Sequence, residues 1–159
     1  MYKNILVAID GSEVGNLAFT SALHLAKAHS AQVCALYVVE YPRFYMPEVG
    51  YDPTPIYEAL VAEGDLIVKQ ATERLKQEGV NGNAQIADNF YTGHTTAEQI
   101  QHIADTCQAD LVVLGTHGRS GFKRLMLGSV AEAFVRLSTR PVLLVPQKTA
   151  IADDETKTP

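Results

Sequence analysis

The chain has 159 residues, 47% of them hydrophobic, and a formal net charge of −5 at neutral pH. This length and apolar share supply one sizeable core and fall short of two comfortable domains. No apolar run reaches bilayer-spanning length, and Met1-Tyr2-Lys3-Asn4 leads directly into a strand pattern without a signal sequence, so direct membrane insertion is excluded and a cytoplasmic location is expected.

Five alternations of strand and helix are expected over most of the chain. Tyr2 to Ile9 is rich in strand-forming residues and ends at Asp10-Gly11-Ser12, where Ser12 caps a helix running to about His29. Gln32 to Val39 forms the next strand; Val33, Leu36, Val38 and Val39 suit a sheet buried on both faces. Tyr41 to Pro53 is a loop punctuated by Pro42, Pro47, Gly50 and Pro53, and Thr54-Pro55 then resembles a cap with proline at the first helical position, opening a long helix to about Glu78. Ala84 to Phe90 has modest apolar content and neighbours rich in Asn and Gly, which makes it the faintest strand pattern. Thr95-Thr96-Ala97-Glu98 has capping-box spacing and begins a helix reaching Cys107, followed by a strongly apolar strand from Asp110 to Leu114. Ser129-Val130-Ala131-Glu132 repeats the box and starts a helix to about Ser138; Pro141 to Val145 is the last strand. The domain therefore covers 1–146, with a frayed polar tail over 147–159. The alternation argues for an α/β fold, a parallel sheet with helices on both faces. Cys34, in a strand, and Cys107, near a helix end, are expected as buried free thiols rather than a disulfide.

The strand-to-helix junction from Gly115 to Ser129 carries the chemistry. Its glycines let backbone approach a ligand closely, and the free N–H groups of the following helix start receive negative charge. Positions 119 to 140 hold Arg119, Lys123, Arg124, Arg136 and Arg140 against Glu132, a net of +4 on a remainder of −9. A local basic segment on an acidic body suits a small anionic ligand better than a nucleic acid, with a merely solvated surface as the lesser reading for part of the run. Arg119 and Lys123 are placed to neutralise phosphates, while the direction of Arg124 is undefined. Ser129 can donate to a phosphate or simply cap its helix. His117 has no visible acidic partner and is read as structural or exposed rather than as a base. Asp10 ends the first strand and faces the glycine loop if the first and fourth strands are neighbours. Its carboxylate then accepts from a ribose hydroxyl, holds a divalent cation, or is a turn residue before Gly11. Neither G-x-x-x-x-G-K-[ST] nor G-x-G-x-x-G after the first strand is present, which disfavours an ordinary P-loop ATPase and a Rossmann dehydrogenase.

The loop reads G-x2-G-x9-G-S, with Gly115, Gly118, Gly128 and Ser129 at the fixed positions. Together with the segments from Ile5 to Ser12 and from Pro141 to Pro146, this pattern resembles the universal stress protein family in its ATP-binding branch. The resemblance implies a five-stranded parallel sheet of order 3-2-1-4-5, a Rossmann-like sandwich with adenine beside the second strand and phosphates in the glycine loop. It carries over to Ala8 and Asp10 after the first strand, Val38 near adenine, and Leu114 and Gly115 near the nucleoside. Gly118 and Arg119 fall near the phosphates, and Gly128, Ser129 and Val130 fall at the helix start. The implied function is an ATP-binding stress-response protein that works as a regulatory or interaction module rather than as an efficient enzyme, with no catalytic residue assigned. One alternative is a slow ATPase dependent on Mg2+ or Mn2+, with Asp10 beside the metal; another is a dimeric adaptor without nucleotide binding. The resemblance also implies a homodimer whose final strands meet. The aromatics of the loop after the second strand, Tyr41, Phe44, Tyr45 and Tyr51, could support a tetramer or pack on their own domain.

Overall fold

The computed structural model describes residues 1–40, 52, 54–88, 92–117 and 127–147. Within them strands and helices alternate: β1 Asn4–Ala8, α1 Glu13–His29, β2 Gln32–Val39, α2 Thr54–Gln77, β3 Gly82–Asp88, α3 Thr96–Thr106, β4 Leu111–Gly115, α4 Ser129–Leu137 and β5 Val142–Val145. The five strands form one sheet in the order β3-β2-β1-β4-β5, and every neighbouring pair is parallel. Ile5 is in register with Val33 on one side and Leu111 on the other, so β1 is the central strand. Chain order runs outward from it in two directions, which makes the β1/β4 boundary the switch point of the sheet.

Side-chain alternation in the strands divides the interior into two cores. Ile5 and Val7 point to the face covered by α1 and α2, where they meet Phe19, Leu23 and Leu75. Leu6, Leu36 and Val112 point to the opposite face and meet Ile100 of α3 and Phe134 of α4. A strand buried on both faces has no polar side to display, hence the unbroken apolar runs of β1, β2 and β4.

Local chemistry sets most helix ends. Ser12 Oγ accepts from Gly15 N at 3.0 Å to start α1, and Ser30, in the left-handed region at φ 52°, closes it with its N–H on Ala26 O. The capping box at α3 is complete: Thr95 Oγ1 accepts from Glu98 N at 3.2 Å, and Glu98 Oε2 accepts from Thr95 N at 2.7 Å. Thr54 is already helical in α2, and the carboxylate of Asp52 accepts its N–H at 2.9 Å, so the capping acceptor lies ahead of the threonine expected to supply it.

The second expected capping box does not form. Gly128 is the N-cap of α4 with no side-chain cap bond, Ser129 is the first helical residue, and Glu132 pairs with Arg136 one turn on at 2.7 Å. The β3 strand begins at Gly82, earlier than its apolar content suggests, and its expected end at Phe90 lies outside the described residues. The aromatics Tyr41, Phe44, Tyr45 and Tyr51 and the tail from residue 148 also lie outside them.

Candidate functional site

The carboxyl end of β1 is built by a short acidic turn. Asp10 Oδ1 accepts from Ser12 N at 2.9 Å and from Ser12 Oγ at 2.6 Å. That turn positions the hydroxyl that caps α1, so one carboxylate fixes the strand exit and the helix entry together. Gly15 makes room for it: a Cβ there would lie 2.4 Å from Asp10 Oδ1, so a side chain at this position would push the carboxylate out of its turn.

The carboxyl end of β4 approaches from the other side of the switch point. A Cβ on Gly115 would lie 2.8 Å from Val14 Cγ1, so glycine lets β4 and α1 close on each other here. Thr116 N donates to Val145 O at 2.9 Å, and Thr116 O accepts from Gly128 N at 2.6 Å. The two ends of the glycine loop are thus clamped, and α4 starts immediately beside the end of β4. Its first N–H groups have no carbonyl one turn back to bond, and the N-cap Gly128 has no side chain to cap them. They point donors and a partial positive charge to the sheet end.

Between these parts lies a cavity of about 340 Å³, within the size range of small-molecule sites. Its floor is the sheet end: Ala8 and Asp10 of the first strand's exit, Leu36 and Val38 of β2, and Leu114 and Gly115 of β4. The start of α4 supplies Gly128, Ser129 and Val130. Thr96 and Ile100, one turn apart on α3, form a further wall, and Leu60 of α2 and Gly15 of α1 complete the enclosure. Two polar atoms at this cavity are buried without a hydrogen-bond partner among the described residues, Thr96 Oγ1 and His117 Nε2. The other ring nitrogen of His117 contacts Thr116 Oγ1 at 3.0 Å, which orients the imidazole. Buried polar atoms are satisfied as a rule, so two orphans on one cavity mark where a ligand's polar groups would fit.

The sequence-derived positions Ala8, Asp10, Val38, Leu114, Gly115, Gly128, Ser129 and Val130 therefore line a single cavity. Gly118, Arg119 and Lys123 lie outside the described residues, as does Arg124. Two other cations of the basic segment are directed elsewhere: Arg136 to Glu132, and Arg140 to Asp105. The hydrogen bond from Arg140 holds the Asp105 carboxyl below its ordinary range. Thr96, Ile100 and Gly15 were not singled out from the sequence. The Thr95 box was the available signal, because it starts α3 at the same sheet end and puts Thr96 and Ile100 on one helix face. Among the described residues no group of three or more His, Cys, Asp or Glu could hold a metal ion, and no helix is long and apolar enough to cross a membrane.

A parallel α/β sheet with its cavity at the switch point, backed by glycine and a helix start, defines a ligand-binding domain of the doubly wound class. The model of the universal stress protein family matches residues 1–146, and the chain belongs to that family. A universal stress protein of Methanocaldococcus jannaschii is 34% identical over 146 residues, spanning 91% of this chain and 82% of the relative. A crystal structure of a family protein from Burkholderia pseudomallei superposes with a TM-score of 0.76 at 34% identity, covering 92% of this chain and 97% of that one. Another universal stress protein, solved in complex with cAMP, gives a TM-score of 0.65 at 25% identity and covers 91% of this chain and 97% of its own.

Proposed function

We propose that this chain binds an adenine nucleotide, ATP by preference, at the switch-point cavity, and acts as a cytoplasmic stress-response module whose output is an interaction rather than rapid turnover. The observation that carries the reading is the pair of polar atoms buried without a partner among the described residues, Thr96 Oγ1 and His117 Nε2, in a cavity of about 340 Å³ that also receives the start of α4, where Gly128 supplies no side-chain cap. Val38, Leu114 and Ile100 offer apolar surface for a planar base, Asp10 offers an acceptor for sugar hydroxyls, and the α4 N–H groups with Ser129 offer donors for phosphate. The relative solved with cAMP lends support from a protein of the same fold. Gly118, Arg119 and Lys123 complete the proposal from the sequence side.

A divalent ion fits this site only as a companion of the phosphates. Among the described residues there is no ligand cluster, and Oδ1 of Asp10 already takes two hydrogen bonds from Ser12. Mg2+ or Mn2+ would arrive on the nucleotide's oxygens with Asp10 as at most one protein ligand. Self-association is proposed at the β5 edge of the sheet, where Leu143 is exposed and Val135 and Leu137 of α4 stand in solvent. A homodimer is the simplest assembly there, and a tetramer would need a second surface.

The test is to denature freshly purified protein, identify any released nucleotide, and titrate the apo form with ATP, AMP, cAMP and adenosine. ATP should bind and adenosine should bind much more weakly. Equal affinity for ATP and adenosine would remove the phosphate role of α4 and the glycine loop, and no binding by any of the four would sink the reading.

A further inference from the structure

His94 and His102 stand together on the outer side of α3. His94 is the residue before the Thr95 N-cap and His102 lies within the helix; both are exposed, with ring centroids 6.4 Å apart and planes tilted by 54°. The turn that carries His94 is held on both sides. Its backbone N–H donates to Thr92 Oγ1 at 3.3 Å, and the capping box of Thr95 with Glu98 fixes the residue that follows. Neither histidine lines the switch-point cavity.

A buried neighbour sets the tautomer of His94. Gln99 is only 6% exposed, and its Oε1 lies 3.2 Å from His94 Nδ1. An amide oxygen can only accept, so Nδ1 carries the proton and donates it to Gln99. The neutral ring then presents Nε2 as a bare lone pair, the form in which histidine ligates metals. Ligating histidines are commonly oriented by such an outer partner on the other ring nitrogen, and here burial locks the partner itself. Satisfying the Gln99 oxygen uses Nδ1 alone and asks nothing of Nε2.

Two imidazoles one helical turn apart on one face, as in H-E-x-x-H helices, are an established histidine pair for zinc. The turn ahead of α3 brings His94 within comparable reach of His102 although the two are not neighbours in sequence. Rotation of the exposed His102 ring about its side-chain torsions can aim both nitrogens at one point between the rings, with about 2.0–2.1 Å to each for zinc. Two protein donors fall short of a group of three, and water supplies the remaining positions. We propose that His94 and His102 chelate one borderline divalent transition ion, Zn2+, Cu2+ or Ni2+, on the solvent side of α3 within a single chain. Imidazole nitrogen favours these ions, whereas Mg2+ and Ca2+ prefer oxygen. The ion ties the turn ahead of α3 to the helix and stabilises the folded chain by mass action. This site shares no residue with the nucleotide cavity and stands whether or not a nucleotide binds there.

The experiment uses the tag-free full chain, stripped with a chelator and titrated calorimetrically. Zn2+ should bind with one ion per chain and Cu2+ more tightly, while Mg2+ should give no binding at this site. His94→Asn keeps a side-chain N–H near the Nδ1 position for Gln99 and removes Nε2; His102→Ala removes the second donor from an exposed position. Each should weaken Zn2+ about tenfold or more while the metal-free melting temperature stays at the native value. Added Zn2+ should raise the melting temperature of the native protein and not that of either variant. Substoichiometric Cu2+ should broaden the NMR ring signals of His94 and His102 and spare those of His24 and His29. The proposal is overturned by absence of Zn2+ binding, by full native affinity in either variant, or by a Zn2+-dependent rise in sedimenting mass, which would make the ion a bridge between chains.

Discussion

Asp10→Asn and Asp10→Ala separate the turn role of this carboxylate from its proposed ligand role. In the native protein Oδ1 accepts two hydrogen bonds from Ser12, at 2.9 Å from N and 2.6 Å from Oγ, in a part-buried setting. A bond to a charged acceptor contributes roughly 1.5–3 kcal/mol and a neutral one about 0.5–1.5. Asparagine keeps a carbonyl oxygen for both bonds to Ser12 and loses their charge assistance. Solvent at the part-buried position reduces that loss to about 1 kcal/mol in total. Alanine removes both bonds and leaves Ser12 to hold the cap alone, for about 2–3 kcal/mol. At this chain length 1 kcal/mol corresponds to about 2–4 °C in Tm. Asparagine should therefore melt about 3 °C lower and alanine about 8 °C lower.

Binding should not follow that order. If Asp10 accepts from sugar hydroxyls, asparagine substitutes an NH2 donor for an acceptor, and ATP affinity should fall roughly tenfold to a hundredfold even though the turn survives. Thermal melts paired with isothermal titration at low and high Mg2+ read both effects. An Asp10→Asn protein that binds ATP within about twofold of the native affinity at both Mg2+ levels refutes the ligand role and leaves Asp10 a turn residue.

Ser129→Ala should leave Tm within about 1 °C, since Gly128 and not Ser129 caps α4 and alanine is the better helix former, while ATP affinity drops; a large loss of stability would show that Ser129 caps after all. Thr96→Val should move stability and binding in opposite directions. Removing a buried hydroxyl that has no partner among the described residues stabilises the apo protein by up to about 1 kcal/mol, yet the ligand loses a partner; unchanged ATP affinity would take Thr96 out of the site. The hydrogen bond from Lys27 lowers the Glu78 pKa below its ordinary 4.5, so this pair stabilises the fold above that value and ceases to as pH falls through the lower folded value. Urea midpoints of native protein and Lys27→Gln should accordingly differ at neutral pH and converge once the pH has fallen below the lowered folded pKa of Glu78; a gap that persists in acid would point to lost packing instead of lost charge.

How much of the fold was legible depended on how many neighbours each element has. The central strands β1, β2 and β4 are covered on both faces, and their apolar runs announce them. β3 is an edge strand whose first residues, Gly82 and Asn83, are exposed, and what makes them strand is pairing with Val33 and Cys34 of β2. That pairing is a property of the partner and leaves no trace in the local sequence. The two S/T-x-x-E motifs make the same point. At Thr95 both reciprocal bonds form, whereas at Ser129 the clamp of Gly128 N on Thr116 O fixes the chain one residue earlier and makes glycine the cap. A capping motif states what a side chain can do, and the tertiary contact ahead of it decides which residue is in place to do it.

The site divides along the same line. Asp10, Gly115 and Gly128 act through bonds and contacts close to the strand ends that they terminate, and strand-end chemistry is readable from sequence once the sheet is inferred. Thr96 and Ile100 act only because α3 lies across the face that Leu36 and Leu114 present, and helix placement over a sheet is not written in the helix's own pattern. The lining residues hidden from the sequence are thus Gly15 of α1 and Thr96 and Ile100 of α3, and the position of α3 determines where the Thr96 hydroxyl meets the cavity. Displacing α3 from its core, for example by Ile100→Ala, should therefore disturb the Thr96 wall of the cavity while the Asp10 turn holds, whereas Asp10→Asn should weaken the turn and leave that wall in place.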